Sequence, residues 1–187
     1  KKIPLRITVN RQGTLIDVAT EELLKTYGIT YSDIAKWGGK VHKLPGPEAT
    51  DLWDAGQMDA IVEVSQFPTS RFYELGQKHD LIMLPIDPAN QEKLNKELGT
   101  SSLTIPAGTY SFQKEDCPTV SSQLLLITSA DQPDEVITGV LKAMTANIDY
   151  LHSVHANLRD LSPETMSANT SIPMHPAAEK FFRELKK

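Results

Sequence analysis

Asn10-Arg11-Gln12-Gly13-Thr14 joins an alternating β-branched run to a helical pattern, and these five residue types suit an anion site. Backbone N–H groups at a helix start have no intrahelical acceptor and carry partial positive charge, so they attract anions. Arg11 adds a planar donor fork that matches a carboxylate. The same residues equally suit a plain strand-to-helix turn with Thr14 as its N-cap. A second corner, Ser65-Gln66-Phe67-Pro68, offers two hydrogen-bonding side chains and an aromatic wall. Its alternative is a solvated turn with one core aromatic. Thr109-Tyr110 forms a third polar corner.

Catalytic or metal chemistry has less to work with. His152 and His155 stand three apart in a helical pattern, a spacing that puts two ligands on one face. No carboxylate follows at a usual distance, so the pair reads as surface residues and no metal site is expected. Cys117 is the single cysteine, which forbids an internal disulfide and a thiolate zinc cluster; without a neighbouring histidine it lacks the setting of a catalytic thiol. Glu21-Glu22 and Glu115-Asp116 read as solvated charges. No G-x-S-x-G, P-loop or G-x-G-x-x-G is present. The expectation is a binding protein, not an enzyme, with no cofactor.

The elements that must position these corners follow from periodicity. Leu5-Arg6-Ile7-Thr8-Val9 predicts a strand. Residues 15–27 predict a helix closed by Gly28, and Ser32-Asp33 a short helix ending at Trp37-Gly38-Gly39. Strands are predicted over 41–44, 58–64 and 81–86. Helices are predicted over 47–55, over 69–79 with Pro68 in the first turn, and over 88–98 with Gly99 as its stop. This alternation argues for an α/β domain with a largely parallel sheet. Ligands bind outside the carboxyl ends of such strands. Residues 99–117 read as turn-rich and 120–128 as a strand. Residues 135–158 read as one long helix or two joined ones, followed by a short helix from Ser162-Pro163-Glu164 and a last one over 177–185.

The bulk properties narrow the classes. The 187 residues suffice for a real core, and 40% hydrophobic with 23% charged residues is ordinary globular composition. A net charge of -5 lacks the basic face of a nucleic-acid binder, so no nucleic acid is expected. No run approaches the ~18 apolar residues of a membrane span, so no membrane insertion is expected. The opening Lys1-Lys2-Ile3-Pro4 is not a signal peptide, which suits a cytosolic protein or a mature or trimmed secreted one.

Five stretches, taken in order, resemble one family, the TAXI-type solute-binding proteins that serve TRAP transporters. They are RITVNRQGTLIDVATEELLKTYGI, LWDAGQMDAIVEVSQFP, IPAGTY, PTVSSQLLLITSAD and IPMHPAAEKFFREL, together spanning nearly the whole chain. The resemblance implies a periplasmic-binding-protein-like (type II) α/β lobe with a largely parallel sheet flanked by helices, followed by a mostly helical C-terminal segment. It implies that the chain corresponds to about the C-terminal two-thirds of such a protein. Residues 1–118 would be the second ligand-binding lobe, and 119–187 a hinge strand with helices returning to the first lobe. It further implies a periplasmic receptor that captures a small organic anion, such as an amino acid or dicarboxylate, between two lobes and delivers it to TRAP membrane permease subunits. Position carries the ligand-binding role to Asn10, Arg11, Gln12, Gly13, Thr14, Ser65, Gln66, Phe67, Pro68, Thr109 and Tyr110. The chain departs from the family pattern at Asn10-Arg11, at Ser65-Gln66 and at Ala177, where small residues or glycine are usual. A cytosolic sensor domain of the same two-lobe type is the alternative expectation.

Overall fold

The computed structural model describes residues 2–168 and 172–186. The chain divides into two compact units, 1–122 and 123–187.

The first unit is built on three short parallel strands, β1 (Arg6–Thr8), β2 (Lys40–His42) and β3 (Ala60–Ile61), in the order β2-β1-β3. The register pairs Ile7 with Val41 and with Ala60, so β1 is central. Helices α1 (Leu15–Thr26) and α2 (Tyr31–Lys36) lie between β1 and β2, and α3 (Gly46–Asp54) lies between β2 and β3. Parallel neighbours need such crossovers, because a tight turn cannot return a strand to the same end of the sheet. Ile7, Val9 and Ile34 form the core, with Leu5, Leu24, Ile29, Tyr31, Val41 and Ala60 packed around them. Helices α4 (Ser70–Lys78) and α5 (Pro88–Leu98) follow, and then an antiparallel pair, β4 (Ser101–Ile105) with β5 (Cys117–Ser121). The fold is mixed α/β with a parallel sheet flanked by helices and a helical C-terminal part, consistent with a periplasmic-binding-protein-like lobe.

At its amino edge the sheet is locked by charge. Arg6 grips Asp59 with Nε at 2.9 Å and Nη2 at 2.6 Å, and Arg6 N–H donates to the same carboxylate at 2.7 Å. Asp59 thus sets the register of β3 and sits away from the ligand-facing edge. At the opposite edge β1 is followed by Asn10, β2 by Lys43 and Leu44, and β3 by Val62 and Glu63.

Three sequence expectations are corrected. Residues 81–86 form no strand: the segment contributes a single ladder-like bond, Ile86 N–H to Pro118 C=O at 2.8 Å, while Ile82 and Leu84 are 82% and 71% exposed. Residues 120–128 are a strand only to Ser121; Leu124, Leu126 and Ile127 beyond it are exposed and pair with nothing among the described residues. The turn-rich stretch holds β4, whose alternation of small hydroxyl residues around Leu103 gave little apolar signal. Pro68 is not in the first turn of α4 either. Thr69 is the N-cap and helix begins at Ser70, after a cis Phe67–Pro68 bond.

The second unit comprises α6 (Asp134–Ala146), α7 (Ile148–Val154), a 3-10 turn, α8 (Pro163–Ser167) and α9 (Pro176–Leu185). Of the two options for residues 135–158, two joined helices is the observed one. They part at Asn147, whose side chain donates to Ala143 C=O at 2.8 Å and competes with the backbone ladder. Leu141, Ala178 and Phe182 form this unit's core with Ile137, Met166, Met174 and Phe181.

Candidate functional site at the carboxyl edge of the parallel sheet

The loop after β1 is wound by its own hydrogen bonds. Asn10 has φ 62°, a left-handed backbone that asparagine tolerates better than most residues, and its Oδ1 accepts Arg11 N–H at 2.7 Å. Gly13 takes φ 75°, where a side chain would be strained. Thr14 caps α1, its Oγ1 accepting Asp17 N–H at 3.4 Å. Thr14 N–H goes to Arg11 C=O at 3.2 Å, and Gly13 N–H goes to Asp17 Oδ2 at 2.9 Å. Much of the N–H array expected to hold an anion is therefore spent inside the loop.

Asp17 is the hub of that winding. It is 4% exposed and accepts from Gly13 N–H, from Lys43 Nζ at 3.1 Å and from Tyr31 Oη at 3.1 Å. Burial pushes its carboxyl up, but Gly13, Lys43 and Tyr31 outweigh burial and hold it below the ordinary aspartate value. Burial and the adjoining Asp17 push the Tyr31 hydroxyl up, so it stays a donor. An acid in the first turn also offsets the partial positive charge of the helix start.

The other two corners are tied together. Tyr110 is 2% exposed, and its hydroxyl accepts Thr69 N–H at 3.0 Å, while Tyr73 Oη donates to Thr109 C=O at 2.9 Å. Tyr110 stacks on Phe112 with centroids 5.3 Å apart and meets Phe72 and Tyr73 edge-on. Tyr110 thus holds the start of α4 from beneath, and Thr109 reaches the surface beside it. Ser65 and Pro68 are exposed, and Phe67 and Gln66 are half-buried; Gln66 Oε1 is buried without a hydrogen-bond partner among the described residues. Tyr110→Phe keeps the ring stack and loses only the bond to Thr69. A loss of ~1 kcal/mol is expected in urea unfolding, and an unchanged midpoint would mean that the bond holds nothing.

Between the first and second corners lies a residue pair that the sequence reading missed. Arg71, in the first turn of α4, donates from Nη1 to Glu63 at 2.6 Å and from Nε to Thr50 Oγ1 at 3.2 Å. Burial raises the Glu63 carboxyl above its ordinary value even though Arg71 pulls it down. Glu63, Arg71, Thr8 and Asn10 line one small cavity at the strand ends. Arg71 also faces an open cleft of about 360 Å³ with Gly46, Pro47, Thr50, Asp51 and Glu74. A signal existed in the sequence: a cation in a helix's first turn, with no acid there, opposes the helix dipole. Arg11, Gln12 and Gly13 are exposed, and the Arg11 side chain has no partner among the described residues.

The histidine pair does not share a helix face. His155 lies past the end of α7 in extended backbone and accepts Asn157 N–H at 3.0 Å, while the His152 ring meets Leu161 C=O at 2.7 Å.

A cationic edge on a parallel α/β lobe is a recurrent frame for holding small solutes. The NMT1-like family model matches residues 5–185. The chain belongs to the NMT1-like family. This family is part of the extracytoplasmic solute-binding group, which is a binding group and not an enzyme group. An NMT1-like chain is thereby expected to take a small molecule. Among the described residues no helix is long and apolar enough to cross a membrane.

Proposed function

We propose that this chain is the solute-binding part of a TRAP-type transporter receptor of the TAXI type. It works outside the cytoplasm, captures a small carboxylate-bearing solute and hands it to membrane permease subunits. The observation that supports this reading most is the match of the NMT1-like family model across residues 5–185. The carboxyl edge of the β2-β1-β3 sheet adds to it, since the corners singled out from sequence gather there or in the turns tied to it. Asn10, Gly13 and Thr14 shape one wall of the site. Ser65, Gln66, Phe67 and Pro68 form the next, with Thr109 and Tyr110 fixing it. Arg11 and Gln12 stand at the rim.

Binding without chemistry suits the groups present. Closure on a ligand is favoured because the closed state alone makes all of the contacts. A thermal-shift screen of the protein against amino acids, dicarboxylates and 2-oxoacids tests the reading. A bound solute raises the melting temperature by mass action, and at least one carboxylate is expected to do so. Arg11→Ala is expected to weaken that solute by only a few-fold and in a salt-dependent way, because an exposed charge is screened. A flat screen with well-folded protein would overturn the receptor assignment.

A further inference from the structure

Thr8 closes β1 and is 2% exposed, yet its Oγ1 has no hydrogen-bond partner among the described residues. Arg71 Nη2 is also buried and unpartnered, although Nε and Nη1 of the same guanidinium are held by Thr50 and Glu63. Both groups line the same cavity, of about 10 Å³, together with Asn10 and Glu63. A buried donor left unpaired works against the fold, and replacing it by an apolar group of the same shape would relieve the cost. Two such donors on one cavity therefore read as a site kept for a ligand.

The cavity has room for about one oxygen atom. Arg71 forms the boundary between this cavity and the open cleft of about 360 Å³, so an oxygen seated inside could belong to a solute lying in the cleft. The guanidinium is held in place at two of its nitrogens, which leaves Nη2 oriented in advance for a third acceptor. The charges around the cleft define the rest of the ligand. Asp51 and Glu74 line it beside Arg71, and Glu63 neutralises Arg71 from within, so a dianion meets more repulsion than attraction there. A zwitterion satisfies both signs.

We propose that Thr8 and Arg71 hold one carboxylate oxygen of the solute, and that Asp51 and Glu74 select a solute that also carries an ammonium group. This rests on the solute-binding reading and narrows it to small amino acids over dicarboxylates. Thr8 and Arg71 are then the groups that set specificity, and Arg11 at the rim is not.

Calorimetric titration with the standard amino acids and with succinate, singly, tests the proposal on wild type, Thr8→Val and Arg71→Lys. Wild type is expected to bind at least one amino acid more tightly than succinate. Thr8→Val is expected to weaken that amino acid by about 10- to 100-fold, the worth of one hydrogen bond to a charged group. The same substitution is expected to raise the melting temperature of the ligand-free protein by about 2–6 °C, since it removes the unpaired hydroxyl. A purely structural Thr8 would not move the two readouts in opposite directions. Arg71→Lys keeps the charge and loses the planar fork, so it should weaken the amino acid by at least about 10-fold even if Thr8→Val folds poorly. Raised stability with unchanged affinity in Thr8→Val would mean that the cavity holds only water, and would overturn the inference while the receptor reading stands. A preference for succinate would overturn it in the same way. No binding of any amino acid, dicarboxylate or 2-oxoacid would overturn both.

Discussion

Gly39→Ala is expected to cost about 3 kcal/mol or more, because an added methyl has nowhere to go. A Cβ at Gly39 would lie 2.3 Å from Leu5 C=O oxygen, 2.7 Å from Leu5 nitrogen and 2.9 Å from Ile34 Cγ2. Two of these three are backbone atoms and cannot swing aside. Gly39 is where β2 comes alongside β1: Gly39 N–H donates to Ile34 C=O at 2.9 Å, and Lys40 N–H donates to Leu5 C=O at 2.9 Å. Relieving the clash means moving β2 off β1 at the pair that starts the sheet. Gly38→Ala next door makes a useful contrast. Its φ of 84° strains any side chain, but its nearest contact is Pro4 Cβ at 3.6 Å, so a smaller loss of about 1–2 kcal/mol is expected. Urea unfolding of both variants checks this. Equal losses, or a Gly39→Ala loss under about 1 kcal/mol, would mean that β1 and β2 do not approach in this way.

Asp17→Ala is expected to destabilise by about 3 kcal/mol, since it removes one partner of a buried pair and strands the others. Gly13 N–H and the Tyr31 hydroxyl lose their acceptor, and Lys43 Nζ, 35% exposed, turns to solvent. The pH dependence separates this account from a simple loss of packing. The Asp17 carboxyl is held below its ordinary value in the fold, so between the folded and unfolded values the unfolded chain binds more protons. Its stabilisation is complete above the unfolded aspartate value of about 3.9 and fades as pH falls through the lower folded value. Asp17→Asn lacks this contribution at every pH. The gap between wild type and Asp17→Asn is therefore expected to be constant above about pH 5 and to shrink below about pH 4. A gap that stays constant to pH 3 would mean that the carboxylate charge is immaterial.

The sequence made the βα alternation legible because its punctuation is local. Gly28, Gly56 and Gly99 stop helices with φ values of 70°, 66° and 65°, and Thr14, Thr30 and Asp87 cap them. Strand extents were less legible. Leu124-Leu125-Leu126-Ile127 has the apolar content of a strand, but a strand also needs a neighbour to accept its hydrogen bonds, and that partner is not encoded locally. β4 was missed for the converse reason: Ser101 and Ser102 carry little strand signal, and β5 supplies the pairing.

The site divides in the same way. Asn10, Gly13 and Thr14 were legible because a strand-to-helix turn demands such residues. Thr8 and Arg71 were not, since their interest lies in hydrogen bonds left unmade inside a cavity. Glu63 looked like one polar residue in an apolar run, and only the packing of α4 against β3 gives it a cation. Arg11 drew attention as a charge in a loop and proves to be the more exposed of the two arginines.

β1 has three residues and alone in its sheet has a neighbour on each side. Amide exchange turns that arrangement into a clock for the site. Ile7, Thr8 and Val9 hydrogens can be released only when β1 parts from its neighbours, while α4 and the turn around Thr109 can fray beforehand. Thr8 sits in the slowest segment and Arg71 on a faster one. A solute that joins them would be read as a slowing of exchange in the first turns of α4, towards the pace already set by the central strand.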